Sequence, residues 1–261
     1  MVIEDFLLAN RQAVVIGGAR GIGRGIALGL AEAGAAVAVV SRSQDTVEST
    51  VARVKAFGVD AFGCVADATD SESMDHCAKT VIGDLPDLDI VVNCVGDSMR
   101  QSVVKLPGGA DGMSSSDWHN IVDINLTSAF EGCRVFGSHL IQRQHGSVIN
   151  VSGVRAFRAL PNGTAYSAGK AALAMLTQSL ALEWAPFGIR VNALAPGLFP
   201  DPEQETAEQF AEHAQSVKHR IPLGRVGTMR EAGLMAVYLA SPAASYVTGQ
   251  TFVIDGGTGI A

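Results

Sequence analysis

The stretch Ala13-Val14-Val15-Ile16-Gly17-Gly18-Ala19-Arg20-Gly21-Ile22-Gly23-Arg24-Gly25-Ile26-Ala27 joins a short β-branched run to a cluster of glycines and then to a helical apolar pattern. A strand, a tight turn and a helix start, in that order, make an anion site. The first backbone N–H groups of a helix lack intrahelical partners, and the helix dipole adds partial positive charge beside them. Gly17 permits the turn, while Gly21 and Gly23, with Ile22 between them, let the backbone approach a pyrophosphate. The spacing departs from G-x-G-x-x-G, so a tight turn without a ligand is the competing reading.

Outward from this turn, strand and helix patterns alternate along the whole chain. Strands are expected at Ala13–Ile16, Ala36–Val40, Ala61–Val65, Ile90–Asn93, Ser147–Val151, Arg190–Leu194 and Thr251–Ile254. They are apolar runs with little internal alternation, as in a parallel sheet covered on both faces. Helices are expected at Ile22–Ala33, Asp45–Phe57, Ser71–Ile82, Asp117–Arg143, Ala165–Trp184 and Arg230–Leu239. Thr69-Asp70-Ser71-Glu72 reads as a capping box for the third of these. The rhythm predicts an α/β fold, a doubly wound, mostly parallel seven-stranded sheet of Rossmann type. With no repeat and no linker, residues 1–261 read as one domain. Two loops, 97–116 and 196–225, leave the carboxyl ends of strands and are candidate substrate lids. The second carries Asp201, Glu203, Glu205, Glu208 and Glu212, which a solvated helix face would equally explain.

Composition narrows the function class. The 261 residues are 48% hydrophobic and 17% charged, enough apolar content for a large core. A net charge of −7 and the lack of a basic run argue against nucleic acid. No apolar stretch is long enough to span a bilayer. The start, Met1-Val2-Ile3-Glu4-Asp5, has no basic region typical of a secretory signal, so a cytoplasmic protein is expected. Cys64, Cys77, Cys94 and Cys133 are widely spaced and read as reduced, and the histidines show no metal spacing.

Tyr166 and Lys170 stand four residues apart at the head of a long apolar helical stretch, so their side chains share one face. An ammonium beside a phenol would lower the phenol's pKa, and such a phenol can exchange a proton near neutral pH. The same spacing also arises by chance on exposed helices.

Taken together, these motifs resemble the short-chain dehydrogenase/reductase family, including its 3-oxoacyl reductase-like members, over essentially the whole chain. The glycine turn is similar to the family's T-G-x-x-x-G-x-G, with Ile16 in place of Thr. Asn93-Cys94-Val95-Gly96 resembles N-N-A-G, and Tyr166-x-x-x-Lys170 resembles the active-site pair. Arg190–Gly197 resembles the loop flanking the nicotinamide, so that Pro196, Gly197 and Phe199 would border the ring. Tyr246–Gln250 and Asp255–Gly257 resemble the C-terminal signature. The resemblance implies that Tyr166 exchanges the proton, that Lys170 binds the nicotinamide ribose and that Asn125 holds a relay water. It also implies that Asn93 and Gly96 lie at the cofactor.

Two departures matter. The family places a Ser thirteen residues before the Tyr, where this chain has Gly153, with Ser152 one position earlier. A shift of one residue turns a strand side chain to the opposite face, so Ser152 would serve only at a kinked strand end. Losing an oxyanion donor can cost ~10²-fold in rate. Asp201, in turn, stands where many members carry a Thr near the carboxamide.

Cofactor choice rests on the end of the second strand. An acid there accepts from the ribose 2′-hydroxyl, whereas Arg accommodates a 2′-phosphate. Here the sequence is Ser41-Arg42-Ser43, with Arg20 as a second cation, which favours NADP(H) over NAD(H). Asp67-Ala68 would border the adenine by resemblance. The expected activity is hydride transfer between NADP(H) and a small carbonyl or alcohol. An enoyl thioester reductase and a non-catalytic NADP(H) sensor are the alternatives. Arg155 and Arg158 are candidates for a carboxylate or phosphate contact, and equally plain loop cations. The apolar run Ala171–Leu176 suggests a buried face and a homo-oligomer, dimer or tetramer, as in the family.

Overall fold

The computed structural model describes residues 4–109, 111–217 and 219–261. Seven strands, β1 Gln12–Ile16, β2 Ala36–Ser41, β3 Ala61–Val65, β4 Ile90–Asn93, β5 Gly146–Val151, β6 Ile189–Pro196 and β7 Thr251–Ile254, form one sheet. Their order is β3-β2-β1-β4-β5-β6-β7 and every pairing is parallel. The helices are α1 Gly21–Glu32, α2 Gln44–Lys55, α3 Ser71–Asp84, α4 Ser115–Val122, α5 Ser128–Arg143, α6 Thr164–Trp184, α7 Ala207–Val217 and α8 Met229–Ala240.

Period-two geometry splits each apolar run between two cores. Ala13, Val15, Val37 and Val39 pack with Ile26 and Leu30 of α1 on one face. Val14, Ile16, Ala38 and Val40 pack with Met74 and Phe136 on the other. This is why the strands read as continuous hydrophobic segments. The strand order reverses direction between β1 and β4, which opens a crevice at the carboxyl ends of these strands. Close helix packing beside that crevice depends on small residues. A Cβ on Gly25 would lie 2.5 Å from the Met229 carbonyl, and one on Gly233 would lie 2.6 Å from the Gly25 carbonyl. The glycines therefore let α8 rest directly on α1.

Several expectations are corrected. The helix expected at Asp117–Arg143 begins at Ser115 and is interrupted by a π-helical turn, Asp123–Thr127, which carries Asn125. The start of α3 is capped by Asp70, whose side chain accepts from the Ser73 amide; Thr69 instead donates to Asp67. The segment 196–225 contains α7, which the sequence pattern left among loops. Its acids are not one solvated face, because Asp201 and Glu203 pair with Arg24 and Glu203 also pairs with Arg53. None of the helices among the described residues is long and apolar enough to cross a membrane.

Candidate active site

The glycine turn closes as its composition requires. Gly17 has φ +82°, and a Cβ on Gly23 would lie 2.1 Å from the Gly17 carbonyl oxygen, so α1 starts in contact with the end of β1. Arg20 precedes α1 without offering a side-chain cap. The Gly21 N–H is instead taken by Asp201, whose Oδ2 accepts at 2.9 Å. Arg24 donates to both Asp201 oxygens, at 3.1 and 3.2 Å, and Gln204 adds a bond at 2.9 Å. Burial alone would raise the Asp201 pKa, but the Glu203 and Gly21 amides, Gln204 and Arg24 outweigh it and hold the carboxyl below its usual value. A negative side chain thus rests on the donors that a phosphate would use.

A cavity of about 620 Å³ runs from this turn to α6. Its near end is lined by Gly17, Arg20, Gly21, Ile22 and Gly23, and its flank by Ser41, Arg42, Asp67 and Ala68. Its far end is lined by Gly96, Ser152, Tyr166, Lys170, Pro196, Gly197 and Phe199. The Asp67 carboxylate accepts from the Thr69 amide and hydroxyl, which, with the nearby Arg42, hold it ionised below its ordinary value. Asn93 does not line the cavity. Its amide is buried and donates to Asn150 Oδ1 at 2.8 Å, and Asn150 donates on to Thr177. Asn93 therefore ties β4 to β5 from behind the cavity lining.

Lys170 is almost fully buried and donates to the Val151 carbonyl at 2.9 Å. Its Nζ lies 5.8 Å from the centre of the Tyr166 ring. A Cβ on Gly96 would stand 3.0 Å from Lys170 Nζ and 3.1 Å from Asn125 Oδ1, so glycine there lets the two groups flank one point. The π turn aims Asn125 inward. Its Nδ2 donates to the Asp97 and Ile121 carbonyls at 2.7 and 2.8 Å, while its buried Oδ1 has no protein partner.

Ser152 Oγ donates to the Lys170 carbonyl at 2.9 Å, so this hydroxyl is committed to the helix and is not a free donor to a substrate. Gly153 faces the phenol, and a Cβ on it would lie 3.1 Å from the Tyr166 hydroxyl. The wall facing the phenol at this level carries no side chain.

Electrostatics revise the sequence expectation. Burial raises the Tyr166 pKa above its ordinary 10, Arg155 opposes the rise, and Asp97 adds to it. The cation that offsets the phenol's burial in the free protein is Arg155 rather than Lys170. Sequence reading placed Arg155 near β5 but gave no sign of this neighbour. A second cavity, of about 260 Å³, adjoins the first at Tyr166 and is bounded by Arg100, Arg155 and Arg220. Nothing in the sequence spacing of Arg100 and Arg220 signals that they meet there.

Burial pushes Lys170 down from its ordinary 10.5 to about 8. Between these values the unfolded chain keeps a proton that the folded chain has released, so stability rises with pH across that window. Below pH 8 both states are protonated and the penalty is present in full. In urea titrations of the cofactor-free protein, Lys170→Met is expected to flatten this rise. An unchanged slope in the variant would assign the proton to another group.

Comparison with known proteins agrees with this arrangement. Residues 17–259 match the family described as enoyl-(acyl carrier protein) reductase. The chain is 37% identical to the 2-dehydro-3-deoxy-D-gluconate 5-dehydrogenase of Pseudoalteromonas atlantica, with 98% of each chain covered. It is 37% identical to the galactitol 2-dehydrogenase of Rhizobium johnstonii, with 97% of each covered. The crystal structure of a gluconate 5-dehydrogenase from Burkholderia cenocepacia, in complex with NADP and tartrate, superposes with a TM-score of 0.90 at 32% identity over 100% of both chains. A glycine turn, a Tyr–Lys pair one helical turn apart and an all-parallel sheet, matched end to end by such relatives, mean that the chain belongs to the short-chain dehydrogenase/reductase family.

Proposed function

We propose that the protein transfers a hydride between NADP(H) and the carbonyl or alcohol carbon of a small substrate, with Tyr166 as general acid and base. The observation that carries this reading is the cavity that runs from the glycine turn to Tyr166 and Lys170. Its residues fit the cofactor. Glycine backbone and Arg20 face the place of the phosphates, Ser41 and Arg42 suit a 2′-phosphate, and Pro196, Gly197 and Phe199 border the ring end. Solved relatives hold NADP, in agreement with this choice.

When bound, NADP(H) supplies or accepts the hydride. The chain's own residues position the substrate and move the proton. Tyr166 donates its hydroxyl proton to the carbonyl oxygen in reduction and recovers one in oxidation. Lys170 holds positive charge beside the phenol ring and offers its remaining N–H donors to the ribose. Asn125 Oδ1 is a buried acceptor in need of a partner, and one water between it and Lys170 Nζ would satisfy both groups and link the lysine to solvent. With Gly153 opposite the phenol, the substrate oxygen receives no hydroxyl from that position. This gives the enoyl thioester reading its one supporting observation, and paired keto and enoyl substrates offered with NADPH separate the two. The sensor reading has no such support, because Tyr166, Lys170 and Asn125 are all in place.

The exposed apolar residues Phe130 of α5 and Met175 and Leu182 of α6 favour assembly into a dimer or tetramer, for which light scattering should give a multiple of the monomer mass. The composition and the absence of a spanning helix among the described residues are consistent with a cytoplasmic setting.

Tyr166→Phe should abolish turnover of ketones while NADPH binding, followed by its fluorescence, persists; undiminished reduction would refute the assigned proton transfer. Asp201→Asn should bind NADPH more tightly, by roughly five-fold, because a carboxylate no longer competes for the Gly21 N–H and Arg24. Equal or weaker binding in a fluorescence titration would make Asp201 a structural brace alone.

A further inference from the structure

We propose that the substrate itself carries an anionic group, a carboxylate or a phosphate, held by Arg155 together with Arg100 and Arg220. This rests on the oxidoreductase reading and names the class of substrate for that site.

Arg11, Arg24, Arg53, Arg134, Arg143, Arg225 and Arg230 each form an ion pair with an acid. These are seven of the fourteen arginines. Arg100 and Arg220, both exposed, and the half-buried Arg155 are among the seven without such a pair, and these three meet at one cavity. They come from three separate segments, after β4, after β5 and after α7, and all line the cavity that Tyr166 shares. Among the described residues none of the three has an acidic partner. The nearby acids do not pair with these arginines: Asp97 accepts from the Ser98 amide, and Glu205 keeps one buried oxygen without a hydrogen-bond partner among the described residues. Glu205 faces His213 at 3.4 Å, and Asp255 accepts from the Gly257 and Gly259 amides. Arg158, also close by, donates to the Thr258 carbonyl.

Arg155 is the centre of the group. It follows Gly153 in the short turn Val154–Ala156, on the wall that faces the phenol. It is half-buried, and its guanidinium is held below its ordinary value first by burial and then by Arg158, Arg220 and Arg100. Like charges brought together in a concave site repel one another unless an anion joins them. A guanidinium grips a carboxylate or a phosphate through paired N–H donors. A cavity of about 260 Å³ suits a compact substrate better than a long acyl chain or a steroid. Held this way, an oxyanion would fix the far end of the substrate and leave its carbonyl at Tyr166, a positioning role that Gly153 does not supply.

The test uses matched substrates with the full-length protein and NADPH. Keto acids of three to six carbons, polyhydroxy ones included, are compared with their methyl esters, and dihydroxyacetone phosphate with dihydroxyacetone. The expected kcat/KM is at least about tenfold higher for the anion, mostly through KM. In Arg155→Met the anion should lose roughly 30-fold and the preference should collapse, with partial recovery in Arg155→Lys. Which anion gains more distinguishes carboxylate from phosphate. Neutral substrates reduced as well as their anions, or a preference that survives Arg155→Met, would overturn the proposal and leave the oxidoreductase reading intact. If no ketone of either kind is reduced, calorimetry of succinate and of inorganic phosphate with the NADP⁺ complex decides. Binding that depends on Arg155 supports the anion site and sinks the oxidoreductase reading; no binding sinks both.

Discussion

The Lys170 ammonium is buried against the carboxyl end of β5 and donates to the Val151 carbonyl at 2.9 Å, while Ser152 Oγ donates to the Lys170 carbonyl at 2.9 Å. These two bonds, one in each direction, clamp α6 to the strand. A hydrogen bond made by a charged group contributes roughly 1.5–3 kcal/mol, so the clamp holds the helix end against the strand. It fixes the height of Tyr166 one helical turn away and places Gly153 opposite the phenol. It also uses up the Ser152 hydroxyl. The wall at Gly153 stays bare because that residue is glycine and the hydroxyl before it is turned into the helix.

Charge is distributed around this clamp in an ordered way. Half of the arginines pair with acids, while Arg20 and Arg42 stand at one end of the main cavity and Arg100, Arg155 and Arg220 beside its other end. Between them Asp201 reaches back to the start of α1 and takes an N–H that would otherwise face an anion. Two cationic regions and one internal carboxylate therefore set how strongly anions are drawn to the site. An overall negative chain can still hold anions because local potential inside a cleft is governed by nearby groups, not by net charge.

Much of the fold was legible along the chain. Val14, Val15, Val39 and Val91 alternate between two apolar layers, so the runs had to lack polar alternation, and this alone pointed to a parallel sheet with helices on both sides. The glycine turn was legible because Gly17 and Gly23 answer steric demands that other residues cannot meet. Less was legible where a local rule had rivals. Thr69 and Asp70 both suit a helix cap, and only the strand-to-helix path chose Asp70. The π turn that presents Asn125 was not legible, because such single turns are rare and Asp117–Arg143 reads as one continuous helix.

The sequence by itself determined the order of strands and helices, the glycine turn and the pairing of Tyr166 with Lys170 on one helix face. These depend on steric limits and on periodicity, which act over a few neighbouring residues. Tertiary structure alone decided that Asp201 would sit on the Gly21 N–H, that Asn93 would bond Asn150, that Ser152 would turn toward α6, and that three arginines would gather at the phenol. Each of these joins side chains distant in sequence. Their energies depend on burial and on distances of a few ångströms, and those quantities exist only after the chain has closed on itself.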